Sequence, residues 1–308
     1  MKQGDSLRPT LFAIFINDLA QEAEASQLGV KLETIESDGS ISSTVILSIL
    51  LYADDIVLFA ECEERLQSLI FIVEEWCLKF RLEVNLSKTN ILHVRAKRKP
   101  CSKFTFLFNK RPVPYCESYK YLGCYFNQYL DFSYTAEMQA DSADRALSSL
   151  ITKMIKNRGF PYSVFSKLYE SCICSISLYG SEVYGYDKYA SLLGIHLRAT
   201  RAFLGLPKST ASCGLISEFD WLLPQSLGQL KIIQHFGRLM QLGNNRLIKQ
   251  VYNWDYKLNM TGKIETWSSE VKKILTDNDL GDVFTSQRPF NARNISDKLK
   301  VSMSRKQK

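Results

Sequence analysis

Two adjacent carboxylates, Asp54 and Asp55, interrupt the most apolar stretch of the chain, residues 45–60. Like charges among apolar neighbours need a compensating cation, and carboxylate oxygens are ligands that Mg²⁺ prefers. The runs on either side are rich in Val, Ile and Leu, which predicts two buried strands joined by a tight turn that carries both aspartates. The pair is therefore a candidate metal site, with a plain Asp-Asp turn between surface strands as the alternative.

Helices are predicted on both sides of this hairpin. Pro9 suits the first turn of a helix, and apolar residues recur at three- and four-residue spacing over residues 11–19 and again over 62–80. Residues 82–94 have a strand-like pattern, and segments 104–108 and 119–126 suggest a second hairpin pair. Helical periodicity prevails beyond residue 134. Apolar density falls beyond residue 253, so we expect a loosely packed tail there.

Composition indicates a folded protein with a mild basic excess. The 308 residues are 45% hydrophobic and 23% charged, with a net charge of +7 and a pI of about 8.9, which suits a polyanionic partner. The eight cysteines form no Cys-x-x-Cys pair and there are three histidines, which argues against a zinc module or a disulfide framework. Reduced cysteines are typical of an intracellular protein. No secretory signal opens the chain, and two aspartates within the most apolar stretch argue against a membrane span.

Four sequence blocks resemble reverse transcriptases, in the order found in that family. Tyr52-Ala53-Asp54-Asp55 followed by Ile-Val-Leu is similar to the hairpin of the polymerase palm. The other three blocks are Gln3-Gly4-Asp5-Ser6-Leu7-Arg8-Pro9, Asn85-Leu86-Ser87-Lys88-Thr89 and Tyr121-Leu122-Gly123. Further on, residues 178–183 and 204–207 resemble recurring phrases of non-LTR elements. Over residues 2–240 the chain thus resembles the C-terminal palm and thumb portion of a non-LTR (LINE-type) retrotransposon reverse transcriptase.

The resemblance implies a role for each block. Asp54 would bind catalytic Mg²⁺ in a two-metal site, Asp55 would support it, and Lys88 would face the triphosphate and protonate the departing pyrophosphate. Taken alone, Lys88 is an ordinary loop lysine. The remaining implied contacts are nucleotide and template binding by Gln3, Gly4 and Tyr52, and a primer grip formed by Tyr121, Leu122 and Gly123.

A short basic run follows the palm-like strands. Arg95, Lys97, Arg98 and Lys99 are candidates for contacts with a nucleic-acid backbone. A solvated loop is the competing interpretation.

The expected fold is α+β: a partial polymerase palm, built as an antiparallel hairpin sheet with flanking helices, followed by a mostly helical thumb-like subdomain. The expected divisions are residues 1–133 for the palm with both hairpins, 134–245 for the thumb or connection region, and 246–308 for the tail. The implied partners are template RNA, primer or target DNA and deoxynucleoside triphosphates, with no membrane, in the cytoplasm or the nucleus.

The sequence also departs from the family pattern. Members carry an earlier catalytic aspartate on a palm strand upstream of the Gln-Gly block, and Ser6 and Arg8 stand where proline and serine are usual. Two-metal transfer needs carboxylates from at least two segments. We therefore expect the isolated chain to be inactive, with two alternatives to an enzyme: a non-catalytic nucleic-acid-binding remnant or a ribonucleoprotein scaffold.

Overall fold

A computed structural model describes residues 7–35, 40–219, 221–262 and 264–307. Two compact units divide the chain between Glu117 and Ser118. Helices and small, mostly antiparallel sheets make up the described residues, which agrees with the α+β expectation. No helix in these four ranges is long and apolar enough to cross a membrane.

The first unit surrounds one hydrophobic core with helices and short strands. In chain order its elements are α1 (Arg8–Ala25), β1 (Val30–Ile35), β2 (Ile41–Leu47), β3 (Ile49–Tyr52), β4 (Asp55–Leu58), α2 (Glu63–Phe80), β5 (Ile91–Leu92), β6 (Phe106–Phe108), β7 (Arg111–Val113) and β8 (Tyr115–Cys116). Strands β1–β2, β3–β4 and β6–β7 pair antiparallel, whereas β5–β8 pair parallel. Helices α1 and α2 pack on each other and cover the β3–β4 hairpin.

Local sequence signals account for both helices. Pro9 lies in the first turn of α1, where its missing amide costs no hydrogen bond. Helix α2 begins with Glu63 and Glu64 and ends with Lys79, charges that complement the helix dipole. Its buried face includes Leu69 and Trp76. The strand-like pattern of residues 82–94 is realised only as Ile91–Leu92, because Asn85 organises the intervening residues into a turn.

The second unit opens with a hairpin and is otherwise helical. Its elements are β9 (Ser118–Tyr121), β10 (Cys124–Asn127), α3 (Phe132–Lys156), α4 (Tyr162–Leu168), a π-helical turn (Tyr169–Cys174), α5 (Ser175–Ser177), α6 (Ser181–Tyr184), α7 (Ala190–Leu204), α8 (Ser212–Glu218), α9 (Pro224–Gln241), α10 (Leu247–Met260), α11 (Trp267–Thr276), α12 (Gly281–Ser286) and α13 (Ala292–Gln307). One core joins α3 to the helices up to α7, and a second core joins α9 to α10–α13.

Two expectations about chain organisation differ from this structure. The β9–β10 hairpin belongs with the helical unit rather than with residues 1–117, because it packs on α3, where the Thr135 hydroxyl donates to the Tyr125 carbonyl. The expected loose tail is wrong for the described residues beyond 246. Val271, Leu275 and Leu299 are fully buried there, since helices α10–α13 each contribute apolar residues to one core.

Candidate active site

The Asp54–Asp55 hairpin has a two-residue tip. Tyr52 pairs with Asp55, so Ala53 and Asp54 form the turn, and Ala53 takes a left-handed φ of 51°. Left-handed backbone is unfavourable for a residue with a Cβ, so the surrounding pairing must hold the turn in place. Both aspartates are exposed.

The two faces of this hairpin differ in burial. Alternate residues of a strand point to opposite faces, and directly paired residues share a face. One face packs into the core of the first unit and consists of Ile49, Leu51, Ile56 and Leu58. The opposite face carries Leu50, Tyr52, Asp55 and Val57, and there Tyr52 is 61% exposed and Leu50 is 36% exposed.

The prediction of two fully buried strands is therefore half right. Within the described residues this sheet has two strands, and α1 and α2 cover one side of it. The buried side fixes the direction of the hairpin, and the other side leaves Tyr52 and the acidic tip open to a ligand.

Asp54 and Asp55 offer an incomplete donor set for metal. Mg²⁺ is commonly held by one or two protein carboxylates together with substrate phosphates and water, so the pair fits one such ion. In the part of the chain that the structure describes, no cluster of three or more His, Cys, Asp or Glu side chains is arranged to hold a metal. The fit is thus to an ion shared with a phosphate ligand, and the pair supplies only part of the two-metal site that the resemblance implies.

Lys88 lies in a turn built by Asn85. The Asn85 side-chain oxygen accepts from the Ser87 amide at 3.1 Å and from the Ser87 hydroxyl at 2.7 Å, and the Asn85 carbonyl accepts from the Lys88 amide at 3.1 Å. These bonds are the asparagine-turn chemistry that fixes short loops. The Lys88 side chain is exposed. Its predicted contact with a triphosphate stays a prediction, and Gln3 and Gly4 lie outside the described residues.

The basic run divides into one structural residue and three outward ones. The Lys99 amide donates to the Ala96 carbonyl at 2.9 Å, which closes a turn, and the Arg95 guanidinium donates to the Lys99 and His93 carbonyls at 3.1 and 3.2 Å. Arg95 therefore supports the turn. Lys97, Arg98 and Lys99 are exposed on it and are the members of the run that present charge to solvent.

The Leu122–Gly123 turn, the candidate primer grip, is held by helix α3 and by the turn between α5 and α6 of the second unit. Leu122 and Gly123 have φ values of 47° and 84°, the geometry typical of two-residue hairpin turns. The Tyr179 hydroxyl donates to the Leu122 carbonyl at 2.8 Å, and the buried Gln139 amide donates to the Gly123 carbonyl at 2.9 Å. A Cβ on Gly123 would lie 2.9 Å from Tyr179 Cε1, so the aromatic ring requires glycine beneath it.

Sequence reasoning missed Gln139 and the role of Tyr179. Residues 178–183, which include Tyr179, resemble a recurring sequence of non-LTR retrotransposons, but that resemblance does not indicate which residue Tyr179 contacts. In the structure, Gly180 has a φ of 74°, and a Cβ there would lie 2.6 Å from Cys124 Sγ. The Lys231 ammonium donates to the Leu178 carbonyl at 2.7 Å. This segment thus joins the β9–β10 hairpin to α9.

Two titratable groups of the second unit are held in uncharged forms by burial. Burial raises the pKa of the Cys174 thiol to about 12 and lowers the pKa of the His196 imidazole to about 4. His196 Nδ1 lies 3.1 Å from the Tyr169 hydroxyl, within the core. A neutral imidazole and a protonated thiol in these positions stabilise the fold and do not act as an exposed acid, base or nucleophile.

Comparison with known proteins gives a similarity at the level of a family. Neither the curated proteins nor the solved structures contain one that is significantly similar to this chain. Residues 1–126, which include the acidic hairpin, the Asn85 turn, the basic run and most of the β9–β10 hairpin, match the family model described as reverse transcriptase (RNA-dependent DNA polymerase), and over this stretch the chain is similar to that family.

Proposed function

We propose that the chain is the palm and thumb portion of a non-LTR retrotransposon reverse transcriptase, an enzyme that adds deoxynucleotides to a primer on an RNA template. The observation that carries this proposal is the acidic tip: Asp54 and Asp55 are exposed on a hairpin whose opposite face is anchored in the core. A rigid support of this kind is what a phosphate-directed carboxylate pair needs. The match of residues 1–126 to the reverse transcriptase family supports it.

Each site residue has a role in this proposal. Asp54 and Asp55 hold Mg²⁺, which when bound would neutralise phosphate oxygens and stabilise the charge on the leaving group. Lys88 presents an ammonium to the triphosphate, and Tyr52, on the open face beside Asp55, contacts the nucleotide or template. The Leu122–Gly123 turn contacts the primer. Lys97, Arg98 and Lys99 contact phosphates, while Arg95 keeps their turn in shape.

We further propose that the chain by itself adds nucleotides poorly or not at all. In-line phosphoryl transfer uses carboxylates from at least two segments, whereas the described residues supply the Asp54–Asp55 pair from one turn. The same observation favours the second candidate function, a nucleic-acid-binding protein or ribonucleoprotein scaffold that has no chemistry of its own. Both functions place the protein in the cytoplasm or the nucleus.

Binding and extension measurements test these proposals together. We expect the chain to bind an RNA–DNA primer–template with an affinity that falls as salt rises, and to show no Mg²⁺-dependent extension. Extension that Asp54→Ala abolishes would contradict the expected inactivity and establish the enzyme. Binding that is absent at low salt would reject both the polymerase and the nucleic-acid-binding function.

A further inference from the structure

One face of helix α13 is buried in the core of the helical unit. Ile295, Leu299 and Met303 recur at four-residue spacing and are buried in the second core of the helical unit. At the end of the helix, the Gln307 amide donates to the Ser226 hydroxyl at 2.6 Å, and the Ser302 hydroxyl donates to the Asn278 side chain at 2.8 Å. These contacts fix the orientation of α13 on α9 and at the end of α11.

The outer face of α13 is basic. The exposed residues of this helix include the cations Arg293, Lys298, Lys300 and Arg305. The helix contains one acidic residue, Asp297. Lys300 Nζ lies 3.7 Å from the Asp297 carboxylate and offsets its charge. Within the described ranges, Arg293, Lys298 and Arg305 form no ion pair, so they leave an excess of positive charge on a rigid surface.

The spacing of these cations suits a regular polyanion. Lys298 and Arg305 are seven residues apart on one stripe of the helix, about 10 Å along its axis. Arg293 lies about 140° around the helix from Lys298, at the other edge of the exposed face, and extends the charged length to about 18 Å. Duplex DNA presents about one negative charge per 1.7 Å of axis. A basic helix that binds a membrane surface instead inserts its apolar face into the lipid. That face of α13 is already buried in the protein, which favours a nucleic-acid backbone over a membrane.

We propose that Arg293, Lys298 and Arg305 on α13 form a nucleic-acid backbone-binding surface, made of residues that belong to neither the acidic hairpin nor the Leu122–Gly123 turn. The proposal rests on the nucleic-acid-binding function proposed above and adds a second region of contact to it. The surface recognises phosphate charge and not base sequence, because exposed cations of this kind contact phosphates, which carry no sequence information.

The test compares two triple variants of the full chain. One variant carries Arg293→Gln, Lys298→Gln and Arg305→Gln. The control carries Lys167→Gln, Lys188→Gln and Lys208→Gln, which removes the same charge from exposed positions elsewhere in the same unit. Affinity for one RNA–DNA duplex is measured across a series of salt concentrations, circular dichroism verifies the fold, and anionic phospholipid vesicles serve as a second probe.

A plot of log affinity against log salt has a negative slope, to which each phosphate contact contributes about 0.9. We expect the α13 variant to reduce the magnitude of this slope by about 2 to 3. The control should lower it by less than about 1. An unchanged slope in the α13 variant, or an equal loss in the control, would reject this surface while leaving the proposed function standing. Failure of the unmodified chain to bind duplex would reject both. Vesicle binding that is lost in the α13 variant, with duplex binding intact, would assign the surface to a membrane instead.

Discussion

At the scale of single residues, both the backbone conformation and the surroundings of Gly123 restrict which residue can occupy the candidate primer-grip turn. Its φ of 84° is unfavourable for other residues, and the Tyr179 ring occupies the space that a Cβ would need. Left-handed backbone costs a non-glycine residue about 1 kcal/mol or more, and steric crowding adds to that cost. These two contributions can be separated by experiment.

We expect Gly123→Ala to lower the free energy of unfolding by about 2–3 kcal/mol, measured by urea denaturation. Gly205→Ala is the matched control, because Gly205 has a φ of 66° and no atom beyond its chain neighbours lies within 4 Å of where a Cβ would be, and it should cost about 1 kcal/mol. Adding Tyr179→Ala should remove the excess cost at position 123. Equal losses at the two glycines would show that the Tyr179 contact contributes nothing.

At the scale of elements, the Gln67 side chain links α2 to the β6–β7 hairpin. Gln67 is buried, its amide group donates to the Leu107 carbonyl, and its carbonyl oxygen accepts from the Leu107 amide, both at 2.8 Å. The side chain thus satisfies both backbone groups of one residue, as a neighbouring strand would.

Replacing Gln67 by leucine, which has a similar volume, should destabilise the protein by about 2 kcal/mol, because two backbone groups lose their partners. Chemical denaturation measures the change. Gln21→Leu on the exposed face of α1 is the control and should stay within about 0.5 kcal/mol of the unmodified chain. A neutral Gln67→Leu would mean that solvent replaces both bonds.

At the scale of the whole molecule, each compact unit has its own hydrophobic core. The clusters of buried residues fall entirely within 1–117 or within 118–308. Independent cores are the physical requirement for independent folding.

A fragment that spans residues 118–308 should therefore fold alone, with a cooperative thermal transition followed by circular dichroism in the far ultraviolet. Its helical signal should account for α3–α13. A fragment that carries Leu299→Asp, which places a charge in the α9–α13 core, is the control and should lose the transition. A broad, non-cooperative change in the unmodified fragment would show that the second unit depends on the first.

Local patterns in the sequence predicted the elements that local physics determines. The Asp54–Asp55 hairpin, α1, α2 and the change to helices after the second hairpin follow from periodicity and turn chemistry over a few residues. Contacts between distant segments were not predictable in this way. Tyr179 and Leu122 are 57 residues apart, and no local pattern shows that a tyrosine hydroxyl will reach that carbonyl.

The tail illustrates the same limit. Taken separately, a segment such as α13 is predominantly polar and resembles a poorly packed region. The apolar residues of α10–α13 become buried only when these helices pack together with α9 in one core. The site residues remain predictions for a related reason, because roles toward a nucleotide or primer depend on a ligand as well as on the chain.

The π-helical turn at Tyr169–Cys174 has a consequence for how this segment can change over time. A π turn accommodates one more residue than an α-helical turn, so it absorbs that residue within the turn. Deleting one residue there would leave a regular α-helix and would keep the segment that follows, including the Leu178 carbonyl that Lys231 binds, close to its present orientation. Homologous chains should consequently tolerate the loss of one residue in this hexapeptide better than a one-residue deletion in the α-helical turns on either side of it.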